Sequence, residues 1–186
     1  MNLGHILFSP HGRIGQNEYW LGMLIVVLAN LFLTPVPFIG GLVFLGLLYV
    51  GAVVPAKRLH DAGKTGWIHL IPWAISLSLL GFGVVAAGGA AIAPFLDVVG
   101  KPGGWEALES GDLSPQATAQ LVSGGVIAAG GLLLFWSLSA LTWLVYTIWV
   151  GVLSADPDDN AYGPAPKSAR YTQAATRSAG APPAEG

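Results

Sequence analysis

Three long stretches of the chain carry no charged residue, and turn chemistry divides the first of them. Between Glu18 and Lys57 the run is apolar except around Pro35, Pro37, Gly40 and Gly41, a cluster that favours a tight turn. A hydrocarbon layer about 30 Å thick and a rise of about 1.5 Å per residue require about 20 mainly apolar residues for one crossing. The pattern therefore predicts a helical hairpin with spans over about 19–36 and 39–55. A third span is expected over 67–87, with Gly88 and Gly89 weakening any helix that continues toward Pro94. A fourth is expected over 121–153, longer than a straight crossing needs, so it must tilt or protrude.

The segments between these runs are polar. Lys57, Arg58, His60, Asp61 and Lys64 read as a connecting loop that ends where Trp67 anchors the next apolar run at the interface. Residues 94–120 read as an outer loop, in which Asp97, Glu106, Glu109 and Asp112 face a single Lys101. Residues 165–186 are rich in Pro, Ala, Ser and Gly, a composition that buries too little apolar surface to offset the entropy of ordering. The expectation is a membrane domain over 1–164 followed by a disordered tail. The amino terminus lacks the order of basic region, apolar core and small-residue cleavage site that marks a signal peptide. The first apolar run is expected to remain as an anchor.

Composition and charge sharpen this picture. Residues are 53% hydrophobic and 10% charged, against roughly 25% charged in a soluble domain. No cysteine is present, which removes disulfides and thiolate metal sites. With four spans, Arg13, Lys57, Arg58, Lys64, Lys167, Arg170 and Arg177 share one side, and Lys101 alone lies on the other. Basic residues collect on the cytoplasmic side of short loops. The fold expected is thus an all-α membrane protein, a four-transmembrane-helix bundle with cytoplasmic amino and carboxyl termini.

Three polar elements stand out: GRIGQNEYW from Gly12, KRLHDAGKTGW from Lys57, and DDNAYGP from Asp158. The topology places all three on the cytoplasmic face, so a single interfacial cluster of Arg13, Glu18, Tyr19, Trp20, Lys57, Arg58, His60, Asp61, Trp67, Asn160 and Tyr162 is expected. Glu18 would approach Arg58 or Lys57 there. The order Gly-Arg, Glu-Tyr-Trp, then Arg-Leu-His-Asp and Gly-Trp, then Asn and Tyr-Gly-Pro resembles the domain-of-unknown-function 805 family of small bacterial inner-membrane proteins. The resemblance covers roughly Gly12 to Pro164 and departs from the family in the long acidic loop, the extended third and fourth spans, and Lys57 where Arg is common. It implies a bacterial inner-membrane location and a shape, without a reaction.

Two readings of the cluster stand side by side. One is an ion-pair and hydrogen-bond network that holds helix ends together where partial desolvation strengthens such contacts. The other is a site for an anionic headgroup or cytoplasmic ligand, with Lys57 and Arg58 as donors and His60 titrating. Tyr19, Trp20 and Trp67 are simplest as interface anchors.

Other chemistries are poorly served. Gly63, Lys64 and Thr65 resemble the end of a phosphate-binding loop, but Arg58 occupies the place of its first glycine. His60 and His69 lack further ligands at metal-binding spacing, and no nucleophile accompanies His60 and Asp61. Neither an enzyme nor a cofactor is expected, and nucleic acid is not an expected partner. No Asp, Glu, Lys or Arg falls within the predicted spans, where ion and proton relays usually need them. Pairs such as Gly83 with Ala87, Gly124 with Ala128 and Gly125 with Ala129 favour close helix packing or homo-oligomers. The leading functional expectation is a non-enzymatic component that binds a partner protein or anionic lipid through its cytoplasmic face. A small transporter or channel subunit lined by Ser, Thr and Asn is the alternative.

Overall fold

The apolar runs fold into helices that are mostly longer than their patterns predict. The computed structural model describes residues 2–165, so the expected tail after Ala165, with its basic residues Lys167, Arg170 and Arg177, lies outside the described residues. Helix α1 covers Leu3–Phe8, α2 Gln16–Phe32, α3 Gly40–Asp61, α4 Leu70–Val99, α5 Gly104–Ser110 and α6 Pro115–Val152. A 3-10 turn at Gly66–His69 leads into α4. No strand occurs among the described residues.

Local chemistry sets several of the ends. The Asn2 side chain accepts from the His5 N–H at 3.2 Å and starts α1. Glu18 reaches back to the Gly15 N–H at 3.1 Å and caps α2, satisfying a donor that the first helical turn leaves open. Between α2 and α3 the Pro-rich turn is so tight that a Cβ on Gly40 would lie 2.0 Å from the Thr34 carbonyl oxygen. Only glycine fits there.

Among the described residues, three helices are long and apolar enough to cross a membrane: Gly40–Asp61, Gly66–Val99 and Pro115–Val152. Helix α2, at 17 residues, measures about 26 Å at 1.5 Å per residue, somewhat short of a 30 Å layer. Two boundaries differ from expectation. The third apolar helix runs through Gly88 and Gly89 to Val99, with Pro94 inside it, and α3 runs through Pro55 to Asp61. Proline removes one N–H bond and glycine costs about 1 kcal/mol in a helix. Ending a helix in an apolar setting leaves several main-chain groups unbonded, which costs more. Lys57, Arg58, His60 and Asp61 thus belong to the last turns of α3 rather than to a loop. The outer segment is likewise partly helical, through the end of α4, α5 and the start of α6.

The chain divides into two compact units, one made of the residues up to Ile71 and from Val145 onward, the other of Pro72–Leu144. In the second unit α4 and α6 pack closely. Trp73 and Trp143 meet edge to face with centroids 5.2 Å apart, and a Cβ on Gly83 would lie 2.8 Å from Cβ of Phe135. Gly124 similarly lies against the Ala90 carbonyl and the Pro94 ring, while nothing approaches Gly125. Of the small-residue positions expected to mediate packing, Gly83 and Gly124 do so inside this hairpin.

The first unit has an inverted interior. Its fully buried side chains include Arg58, Lys57 and Asp61 beside Tyr19, Ile6, Ile14, Leu59, Val54 and Val150, whereas Leu24, Val27, Leu42, Leu45 and many other large apolar side chains are exposed. Charge inside and hydrocarbon outside is the arrangement lipid favours. Close approach again relies on a glycine, since a Cβ on Gly151 would fall 2.3 Å from Cζ2 of Trp20.

Gly151→Ala is therefore expected to displace Trp20 and destabilise the protein by about 1–3 kcal/mol, the usual cost of overpacking. Gly125→Ala, with open space around it, should be neutral or stabilise by up to about 1 kcal/mol through helix propensity. Thermal unfolding of the two variants in detergent checks this; equal shifts would contradict the packing at Gly151.

Candidate functional site

The polar motifs meet at the ends of three helices. Helix α1, α3 and α6 all finish in the first unit, and each leaves unbonded carbonyls at its C-terminal end. Those ends carry partial negative charge, so cations are favoured there. Arg13, Lys57 and Arg58 supply them, each buried.

Arg13 is the most connected. Its Nε and Nη2 donate to Asp61 Oδ1 at 3.2 and 3.1 Å, and Nη2 also donates to the Asp61 main-chain oxygen at 3.2 Å. Nη1 donates to the carbonyls of Asp158 at 2.6 Å and Gly163 at 3.4 Å, and Nη2 reaches the Asp156 carbonyl as well. One guanidinium therefore joins the segment before α2, the end of α3 and the segment after α6. Arg58 donates through Nη1 to Asp61 Oδ2 and through Nη2 to the carbonyl of Leu153, immediately beyond α6; its Nε is buried without a partner. Lys57 donates to the carbonyls of His5 and, at 2.8 Å, Ile6 at the end of α1.

The charge balance explains the design. Three buried cations face one fully buried carboxylate, Asp61, which takes a guanidinium on each oxygen. Carbonyl oxygens at helix ends, together with the carboxylates of Glu18 near Lys57 and Asp156 near Arg13, supply the remaining negative potential, which is how an excess of buried positive charge remains tolerable. Glu18 acts on Lys57 through its charge, without a direct contact. It caps α2, and no ion pair links it to Lys57 or Arg58 among the described residues.

Around this core the third motif closes over the end of α3. The Asp156 N–H donates to the Asp61 carbonyl at 2.6 Å. Asn160 Nδ2 donates to the His60 carbonyl at 3.0 Å and to Asp156 Oδ2 at 3.1 Å, while its Oδ1 accepts from the Tyr162 N–H at 3.0 Å. The Tyr162 ring stacks on His60 with centroids 3.8 Å apart and planes 1° from parallel. The nearby Tyr19 hydroxyl donates to the Thr147 carbonyl at 2.9 Å, and Trp20 meets Tyr19 edge to face. Trp67 stands apart, 76% exposed, as an interface anchor would.

Of the expected cluster, Arg13, Lys57, Arg58, His60, Asp61, Asn160 and Tyr162 come together, Tyr19 and Trp20 pack beside them, Glu18 caps α2 within charge range of Lys57, and Trp67 stands exposed. Unforeseen were the contributions of Asp156 and of the carbonyls of His5, Ile6, Leu153, Asp158 and Gly163, because main-chain acceptors leave no trace in side-chain identity. A buried contact of His69 Nδ1 with the Tyr146 hydroxyl at 2.9 Å was also missed, its residues 77 positions apart. Lys57 and Arg58, expected as donors to an anionic ligand, are 0% and 1% exposed and donate to the chain's own oxygens. Chemically, the arrangement holds segments together.

Asp156 lies beyond the apolar helices, and the Asn160 amide, followed by the Asp158 N–H, holds its carboxyl below the usual value. A lowered carboxyl contributes stability above its unfolded-state value, about 3.9, and loses it as pH falls through the folded one. Asn160→Ala should move the Asp156 titration upward, as read by NMR; an unmoved titration would contradict the contact. Asp61→Asn is expected to cost about 3–5 kcal/mol, since it leaves two buried guanidiniums uncompensated. Asp97→Asn, which breaks the exposed 2.8 Å pair with Lys101 and alters a side-chain contact with Gln120, should cost no more than about 1 kcal/mol. Unfolding in detergent distinguishes the two, and similar losses would refute the role given to Asp61.

A family model described as "Protein of unknown function (DUF805)" matches residues 7–164. Neither a curated protein nor a solved structure matches the chain.

Proposed function

The chain belongs to the DUF805 family, and from that premise we propose a non-enzymatic component of the bacterial inner membrane whose buried charge cluster fixes its cytoplasmic face for contact with a partner. The observation that carries this reading is the single Arg13 guanidinium bonded to the end of α3 and to the segment after α6. A cluster consumed by internal bonds is suited to holding a surface in one shape. It is poorly suited to turnover, because its cations are buried and it offers no nucleophile beside His60 or Asp61.

In this reading α2 joins the three longer helices as a fourth span, and both termini face the cytoplasm. Seven of the eight basic residues then share that side, in keeping with the bias of cytoplasmic loops. The partner is a membrane protein or anionic lipid headgroups, approached through exposed residues around the cluster such as Lys64 and Trp67. A transporter or channel subunit is the second reading, favoured by the buried Ser76 hydroxyl, which has no partner in the second unit. Against it, the 230 Å³ groove in that unit is lined by Leu80, Gly83, Val84, Leu132, Phe135 and Trp136 among others, without a charged side chain.

Reporters fused at either end should register a cytoplasmic environment, and one near Glu109 the opposite side; a carboxyl terminus on the outer side would overturn the four-span reading. Preparations in mild detergent should retain a stoichiometric protein or lipid, and their repeated absence would remove the partner proposal. Solute flux through liposomes containing the purified chain should not exceed that of empty vesicles. Clear flux would favour the second reading.

A further inference from the structure

The segment before α2 does not simply trail into the cytoplasm. Helix α1 folds back along α2 and α3 within the first unit, and its depth can be read from its partners. Ile6 is 1% exposed and packs at the level of Gly22 and Val54, where a Cβ on Gly22 would lie 3.4 Å from Ile6 and 3.0 Å from Val54. Gly22 stands six residues into α2 and Val54 seven residues before the end of α3, so both lie about 10 Å inside the helix ends at 1.5 Å per residue. Farther in, the Tyr49 hydroxyl donates to the Phe8 carbonyl at 2.8 Å. By this measure the stretch from Ile6 to Phe8 lies deeper than Trp20, which stands four residues into α2 and marks the interfacial level.

Its hydrogen bonds fit a site without water. Three of the last four carbonyls of α1 accept from α3 side chains, those of His5 and Ile6 from Lys57 and that of Phe8 from Tyr49. Helix-end carbonyls at a protein surface are ordinarily left to water, whereas at membrane depth each must be bonded by the protein. Residues 2–12 contain no Lys, Arg, Asp or Glu. The His5 ring folds back toward Gly12, and the outward surface presents Leu3 and Phe8, 48% and 60% exposed, with Asn2, Gly4 and His5 exposed at the start of the helix.

We infer that α1 is inserted into the cytoplasmic leaflet, with Leu3 and Phe8 seated among lipid acyl chains just beneath the headgroups. This rests on α2 and α3 crossing the membrane. It adds a lipid-embedded element that neither the span pattern nor the charge cluster requires.

The absence of cysteine allows a direct test in the full chain. Leu3→Cys, Phe8→Cys, Leu48→Cys and Lys64→Cys are each labelled with a nitroxide and reconstituted in phosphatidylethanolamine–phosphatidylglycerol vesicles. Power saturation then compares access by oxygen, which concentrates in acyl chains, with access by a water-soluble nickel chelate. Labels at positions 3 and 8 should behave like that at 48, open to oxygen with chelate access lost, while the label at 64 meets the chelate. Chelate access at 3 and 8 with 48 still shielded would overturn the insertion while leaving the spans intact. Shielding of 3 and 8 from both reagents would replace lipid with a protein contact and also overturn it. Chelate access at 48 would refute the spans themselves, and the inference with them.

Discussion

Three cations buried against one carboxylate are the constraint around which the first unit is arranged. Asp61 alone cannot neutralise Arg13, Lys57 and Arg58, and an unpaired cation in a low-dielectric interior is costly. The remedy is to bring the C-terminal ends of α1, α3 and α6 to the same place, so that their open carbonyls face the cations. This requirement accounts for the long-range closure of the chain, in which Arg13 meets the carbonyl of Gly163 across 150 positions. It also makes the arrangement interdependent. Removing any one helix end deprives at least one cation of an acceptor.

The same constraint suits an apolar exterior. Lipid tails are as apolar as leucine, so hydrophobic burial contributes little to helix association in a membrane, and close packing and polar contacts have to contribute more. In the first unit, close packing comes through Gly22 against Val54 and Gly151 against Trp20, and polar contact through the charge cluster and the Tyr19 hydroxyl on the Thr147 carbonyl. The exposed leucines, valines and phenylalanines of α2 and α3 would be a liability in water. In lipid they are the solvent-facing surface.

Much of this was legible in the residues. Runs without charge marked the four long helices, and the expected topology grouped Arg13, Arg58, Asp61, Asn160 and Tyr162, which do meet in one cluster. Boundaries were less legible, because Pro55, Gly88 and Gly89 are read as breakers from propensities that hold in water, and an apolar setting overrides them. Helix α1 was unforeseen. Six residues long, it is held by tertiary partners and not by periodicity. Glu18 is near enough to Lys57 to act on it by charge, as expected, but its hydrogen bond goes to the Gly15 N–H three residues earlier, a local bond that a long-range reading passes over.

The account stands or falls on whether the cluster acts as a unit. A double-mutant cycle on Arg13→Ala and Asp61→Ala, followed by unfolding of each variant in detergent, measures this most directly. A coupling of about 1.5–3 kcal/mol between the two positions is the expected result. Effects that add to within about 0.5 kcal/mol would mean that the two side chains act independently, and would contradict a cluster that acts as one unit.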